Sequence, residues 1–188
     1  MIFNKIIRTY DILIAFTILI IFAPIIIFIL IVCLIESKKP IFIQKRVGKN
    51  QIPFNLIKFR TMKPNTPSLA SHLVQGESIT RFGRLIRSLK MDELPQLVNV
   101  IKGDMSLVGP RPCLLNQFEL ISLREESKVF LVKPGITGLA QIKGIDMSNP
   151  KKLALTDSYM ISKFNQINYF KYLFLTLFGR GMGDKIKY

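Results

Sequence analysis

Two adjacent carboxylates, Asp92 and Glu93, head a segment in which Leu94, Leu97, Val98 and Ile101 recur at the spacing of one helical face, with Gly103 as the stop. Pro95 is tolerated only in a first turn, so the spacing predicts a helix that begins near Asp92, with Asp92 as its cap and Glu93 just inside. Both acids then sit at the positive end of a helix dipole, with Arg84, Arg87 and Lys90 immediately upstream. Such a pair is either a plain cap with its dipole partner or the working end of a phosphate-handling site. Downstream, Pro110 and Pro112 fix the backbone around Arg111, which suits a guanidinium that must present a fork to phosphate oxygens. A tight turn with a solvated arginine is the plain alternative. The glycine-punctuated stretch 132–144 could bring backbone N–H groups to an anion, but it lacks the spacing of a Walker or dinucleotide-binding loop.

Several elements must position these groups. Ile41–Val47 and 54–62 are rich in Ile, Phe and Val and flank a turn at Gly48-Lys49-Asn50-Gln51, which predicts a short hairpin. Residues 63–80, with Pro64, Pro67, Gly76 and several serines, read as a long loop, either a lid or an insertion. His72 lies in it and, alone among histidines, reads as a surface residue. Near the C-terminus, Tyr159, Phe164, Tyr169, Phe170, Tyr172, Phe174 and Phe178 interleave with Lys163, Lys171 and Arg180. That mixture suits a helix lying among lipid headgroups, with a buried core helix as the alternative.

The N-terminal side is apolar from 12 to 35, broken only by Thr17, Ala23, Pro24 and Cys33. Its 24 residues exceed the core of a signal peptide, and no cleavage motif follows, so it reads as a retained membrane anchor. Pro24 at its centre and basic residues on both flanks (Lys5 and Arg8 before it, Lys38, Lys39, Lys45, Arg46 and Lys49 after it) favour a bent hairpin that enters and leaves by one face. A kinked spanning helix stays open on these grounds.

The chain of 188 residues carries 27 Lys and Arg against 12 Asp and Glu, is 49% hydrophobic and has a mean hydropathy of +0.32. Greasiness and strong basicity together exclude an ordinary soluble domain and a disordered tail. The first 36 residues are neutral, so the whole +15 belongs to the remainder, and between Lys38 and Lys90 twelve bases face one acid, Glu77. Such a surface attracts phosphates, from anionic lipid or a phosphorylated substrate. Nucleic acid is the weaker partner for a chain tied to a membrane. Two distant cysteines, one histidine and no CxxC support neither a disulfide framework nor a structural zinc site.

Four motifs in order resemble the bacterial sugar transferase family, the small monotopic phosphoglycosyl transferases. They are Lys58-Phe59-Arg60-Thr61-Met62; Met91-Asp92-Glu93-Leu94-Pro95-Gln96-Leu97 with Asn99; Gly103-Asp104-Met105-Ser106-Leu107-Val108-Gly109-Pro110-Arg111-Pro112; and Pro134-Gly135-Ile136-Thr137-Gly138-Leu139-Ala140-Gln141. The resemblance implies a mainly helical α/β fold: a re-entrant membrane helix hairpin (residues 1–39, broken at Pro24) on a small cytoplasmic catalytic domain (residues 40–188) with interfacial amphipathic helices. Ala23 stands where the family often has a serine before the proline.

The resemblance also implies transfer of a sugar 1-phosphate from a UDP-sugar, N-acetylated and in some relatives 6-deoxy, to undecaprenyl phosphate with release of UMP. This is the first membrane step of surface glycan or glycoprotein assembly, at the cytoplasmic face of the bacterial inner membrane. Asp92 is implied as nucleophile, forming an aspartyl phosphosugar, and as a Mg²⁺ contact; Glu93 completes the dyad and Arg111 clamps phosphate. Arg60, Arg84 and Arg87 are further phosphate candidates, and Asp157 matches an acidic position of relatives, with a helix cap as its alternative. Inner-membrane lipid is an expected partner, and a second copy of the chain stays open. The rival reading, a membrane-tethered anionic-lipid-binding scaffold, needs the basic surface but not the carboxylate pair.

Overall fold

The computed structural model describes residues 2–63, 66 and 78–179, with side chains from Lys5 onward. Helix α1 (Ile2–Ile21) and helix α2 (Ala23–Ser37) meet at Phe22 with a bend of 66°. The break lies two residues before the expected one. Pro24 occupies the first turn of α2, where a missing N–H leaves no bond unmade, so the chain turns at Phe22. Among the described residues no single helix is long and apolar enough to cross a membrane, whereas the bent pair passes that test together.

Each helix of the pair has one seated face. On α1, Ile7, Asp11 and Ala15 are buried, one turn apart, while Leu13, Phe16, Ile20 and Ile21 are exposed. On α2, Ile29, Cys33 and Ser37 are buried and Ile27, Phe28, Ile31, Leu34 and Ile35 are exposed. The α2 face rests on Phe59 and Ile86. Lys38 in the left-handed region closes α2, donating its N–H to Leu34.

Strands β1 (Ile41–Val47) and β2 (Pro53–Phe59) form the expected antiparallel hairpin, from Ile41 opposite Phe59 to Val47 opposite Pro53. Asn50 and Gln51 take positive φ in the turn between them. Past β2, Met62 bridges Ile79, and the Lys63 N–H donates to Ser78 O, closing the base of the segment expected as a loop. That segment, His72 included, lies mostly outside the described residues.

Helix α3 (Arg81–Ser88) is capped by the Thr80 hydroxyl, which accepts from the Gly83 N–H. Helix α4 (Gln96–Lys102) follows, then strand β3 (Ser106–Val108), helix α5 (Phe118–Glu126), strand β4 (Gly135–Thr137), the short helix α6 (Leu139–Ile142), and helices α7 (Pro150–Ser162) and α8 (Gln166–Leu177). Strands β3 and β4 pair in parallel, Ser106 with Gly135 and Val108 with Thr137. The fold is mostly helical α/β, as expected.

The core joins α1, β2, α4, β3, α7 and α8 through Ile7, Ala15, Leu56, Leu97, Val100, Met105, Leu107, Val108, Met160, Tyr169 and Tyr172. Polar atoms pin it. Asn99 bonds the edge of β2 as a further strand would, accepting from Ile57 N (3.1 Å) and donating to Asn55 O (2.8 Å). Arg8 donates to the carbonyls of Val100 (2.5 Å) and Ile101 (2.8 Å) at the C-terminal end of α4. One turn on, Asp11 Oδ1 accepts from the Ser106 hydroxyl, the Leu107 N–H and the Tyr169 hydroxyl, each at 2.9 Å. The first turns of α1 therefore belong to the packed body.

Removing a buried acceptor strands its donors. We expect Asp11→Ala to destabilise the protein by about 3 kcal/mol and Tyr169→Phe, which deletes one donor and leaves two bonds, by about 1 kcal/mol, in denaturant titrations of the detergent-solubilised protein.

Candidate functional site

Asp92 and Glu93 lie in a 3₁₀ turn, Met91–Glu93, that precedes α4, and Asp92 is not the cap of that helix. Pro95 has no N–H to return to Met91, so an α ladder cannot run through it. The chain instead closes with i to i−3 bonds, Glu93 N to Lys90 O and Leu94 N to Met91 O, both 3.2 Å. Lys90 enters the turn with positive φ. Both carboxylates are buried.

Glu93 Oε1 accepts from Lys58 Nζ at 2.7 Å and from Arg111 Nη2 at 3.0 Å. Burial alone would raise the Glu93 carboxyl, but Arg111 and Lys58, with Lys90 behind them, hold it well below the usual carboxylate range. The Lys58 and Arg111 side chains keep 17% and 27% of their surface exposed against 8% for Glu93, so the cations face outward over an enclosed anion. Arg46, near the end of β1, adds a third positive group; burial and then the like charge of Arg111 push its guanidinium down to about 10. Arg46, Leu56, Lys58, Gln96, Arg111, Pro112 and Gly135 line an open cleft.

The loop bearing Arg111 is held against β4. Gly109 N donates to Thr137 O (2.8 Å) and Gly135 N to Pro110 O (2.9 Å). A Cβ on Gly135 would collide with the Gly109 backbone, so the close approach requires glycine there. The Gly135 N–H is thus committed to Pro110 O, not offered to an anion as the glycine-punctuated stretch suggested.

The structure sorts the other candidates. Arg87 is buried and donates to the Thr61 hydroxyl (3.2 Å), and Arg84 is exposed on α3. Arg60 is engaged just past the end of α2, donating to Lys39 O (2.9 Å) and stacking over Phe42. Asp157 is not a helix cap: Asn149 caps α7, and Asp157 lies in mid-helix, fully buried and paired with Arg124.

Three of these residues escape a reading of the sequence by function. Lys58 stands within a motif of the resemblance, but only the β1–β2 register turns it toward Glu93. Arg46 reads as a flanking base, and Arg124 carries no signal beyond its place one turn after Leu120 on a buried face.

Of the aromatic residues expected at a headgroup layer, Tyr169 and Tyr172 are core, while Phe170, Phe174 and Phe178 are exposed on α8 and at its end. Arg180 lies outside the described residues. Leu85 and Leu89 on and after α3 are exposed as well.

Outward-facing cations over the buried Glu93, with Asp92 beside it in the same turn, suit a ligand rich in phosphate oxygens. The bacterial sugar transferase family model matches residues 3–180, and the chain belongs to that family. It is 39% identical over 171 residues to the uncharacterized sugar transferase EpsL of Bacillus subtilis, covering 90% of this chain and 84% of that protein. It is 42% identical over 116 residues, 59% of this chain, to the UDP-glucose:undecaprenyl-phosphate glucose-1-phosphate transferase of Caulobacter vibrioides. Over 147 residues, 75% of this chain, it is 39% identical to the UDP-N-acetylgalactosamine-undecaprenyl-phosphate N-acetylgalactosaminephosphotransferase of Aeromonas hydrophila. The chain spans 43% and 34% of the lengths of those last two proteins.

The depressed Glu93 carboxyl sets a pH signature. A group lowered on folding contributes stability that is complete above its unfolded value of about 4.3 and is lost as the pH falls through the folded value. In urea titrations, wild type should exceed Glu93→Gln by a constant margin down to about pH 5, and the margin should shrink below about pH 4.3.

Proposed function

We propose that the protein transfers a sugar 1-phosphate from a UDP-sugar to undecaprenyl phosphate, releasing UMP, through a covalent intermediate on Asp92. The buried Asp92–Glu93 turn, with Glu93 paired to Lys58 and Arg111 beside a cleft that Arg46 also lines, carries this reading, and the reactions named for the Caulobacter and Aeromonas relatives support its substrate classes.

In the first half-reaction an Asp92 oxygen attacks the sugar-bearing phosphorus, the bond from that phosphorus to the bridging oxygen breaks, and UMP leaves with the electron pair. In the second, an oxygen of the lipid phosphate attacks the same phosphorus and the Asp92 carboxylate is released. Arg111 and Lys58 offset charge on the phosphoryl oxygens throughout. Glu93, pinned between them, keeps both cations in place.

The residues fit Mg²⁺. Asp92 offers a hard oxygen donor, and among the described residues no three acidic, His or Cys side chains cluster, so the ion would take its other oxygens from the donor diphosphate and water. When bound it would supply Lewis-acid neutralisation of the diphosphate, with Asp92 as its protein ligand.

The α1–α2 pair is proposed as a re-entrant anchor inserted from the cytoplasmic face of the bacterial inner membrane, with α3 and α8 lying at the interface. The exposed Ile, Leu and Phe side chains of α1 and α2 form an apolar surface that water would not tolerate, which supports this placement. N-acetylated hexosamines, 6-deoxy forms included, are the proposed donors.

The mechanism is tested without lipid. Enzyme, UDP-sugar and Mg²⁺ should exchange labelled UMP into the donor pool, and Asp92→Asn should abolish both exchange and turnover. Arg111→Ala should lower turnover by about 10²-fold or more and EDTA should stop it. With a donor that supports turnover, absence of exchange would exclude the covalent route. A panel of UDP-sugars scored by UMP release identifies the donor.

Topology is tested by labelling. A cysteine at position 4 in a Cys33→Ala background should resist impermeant reagents applied to intact cells. Pro24→Leu, which restores the N–H that a continuous helix would donate to Ile20, should expose part of that population outside. Labelling of the unmutated anchor from outside would show that it spans.

A further inference from the structure

The loop that presents Arg111 is difficult to hold. Pro110 and Pro112 supply no N–H, so apart from the Arg111 amide the backbone from 110 to 112 can be fixed only through its carbonyls. Every one of them is taken. Pro110 O accepts from Gly135 N (2.9 Å), Arg111 O from Arg124 Nη1 (2.9 Å) and Pro112 O from Arg46 Nη1 (3.1 Å); Cys113 O then accepts from Val47 N (3.0 Å). Two of the four donors are guanidiniums, and each is itself aimed by a partner. Gln44 Oε1 accepts from Arg46 Nε (3.0 Å) and Nη2 (2.6 Å), and Asp157 Oδ2 accepts from Arg124 Nε (3.1 Å) and Nη2 (2.6 Å).

The second of these pairs is conspicuous for its depth. The Arg124 and Asp157 side chains keep 2% and 1% of their surface exposed, and Asp157 Oδ1 is buried without a hydrogen bond among the described residues. A charge pair buried so deeply is a poor source of stability, because desolvation offsets most of the attraction and apolar residues of similar volume do as well. It does supply direction. A planar guanidinium with one edge locked on a carboxylate points its remaining Nη along a fixed line, and here that line ends on the carbonyl of Arg111 itself.

We propose that Arg124 and Asp157 are positioning residues for Arg111: the α5–α7 ion pair fixes the peptide from which the Arg111 side chain reaches Glu93 and the donor phosphates. Asp157, an acid of the sequence with no contact to the Glu93 cluster, acts two bonds away from it, through Arg124. This rests on Arg111 binding phosphate, as proposed above, and the test separates the two.

The probe is UDP with Mg²⁺, which carries the diphosphate whatever the sugar, titrated against the full chain in detergent micelles alongside thermal unfolding. Asp157→Asn and Arg124→Lys should each weaken UDP binding about tenfold where Arg111 is present, and less than about twofold in an Arg111→Ala background. Their shifts in thermal midpoint should be the same in both backgrounds. Equal losses of UDP affinity with and without Arg111 would show a merely structural pair and overturn the proposal while leaving Arg111 as a phosphate ligand. Unchanged UDP binding by Arg111→Ala alone would overturn the phosphate assignment of Arg111 and the positioning role with it. If a single variant fails to fold, Arg124→Met with Asp157→Leu, which removes both buried charges together, goes through the same comparison and is judged by the same outcomes.

Discussion

One carboxylate oxygen holds the site together. Glu93 Oε1 receives Lys58 from the hairpin and Arg111 from the proline-flanked loop, while its own turn leads into α4. Buried as it is, Glu93 is held in its charged form by Arg111 and Lys58, with Lys90 behind them, and losing one partner of such a buried group typically costs about 3–5 kcal/mol. Hairpin, turn and loop are therefore placed relative to one another by electrostatics, and the remaining elements keep those three in register: Asn99 stitches α4 to β2, and β4 seats the loop through Gly109 and Gly135.

Much of this was legible in the residues, and the reasons differ by element. The hairpin could be read because Ile, Phe and Val runs flank a turn, and α4 because its apolar residues keep one face. The cap of α4 lies three residues beyond Asp92: a capping acid before a proline looks like a helix start, but the proline that makes the pattern attractive also breaks the ladder and leaves a 3₁₀ turn. Arg111 was visible through its flanking prolines, since local rigidity leaves a local mark. Arg46 and Arg124 were not, because nothing local records that a charged side chain from a strand or helix will point at a carbonyl 66 or 13 residues away.

The C-terminal aromatics divide against simple hydrophobicity. Tyr169 and Tyr172 are buried while the phenylalanines of the same helix stay out. Tyr169 is suited to depth because its hydroxyl has Asp11 to bond, and a ring that is apolar along its edges and satisfied at its tip packs as well as phenylalanine. A count of aromatics along the helix could not make that division; the position of one acid near the other end of the chain does.

That acid also sets an order of events. Asp11 and Tyr169 stand 158 residues apart, and Asp11 precedes each of its three partners in the chain. Its bond to Leu107 can form once β3 emerges, but its third bond must wait for α8. Contacts so distant in sequence carry a loop-closure cost that is recovered only once α8 is present. Until α8 is made the newborn chain therefore holds an unfinished lock, and a chain cut short before α8 lacks the bolt that closes it.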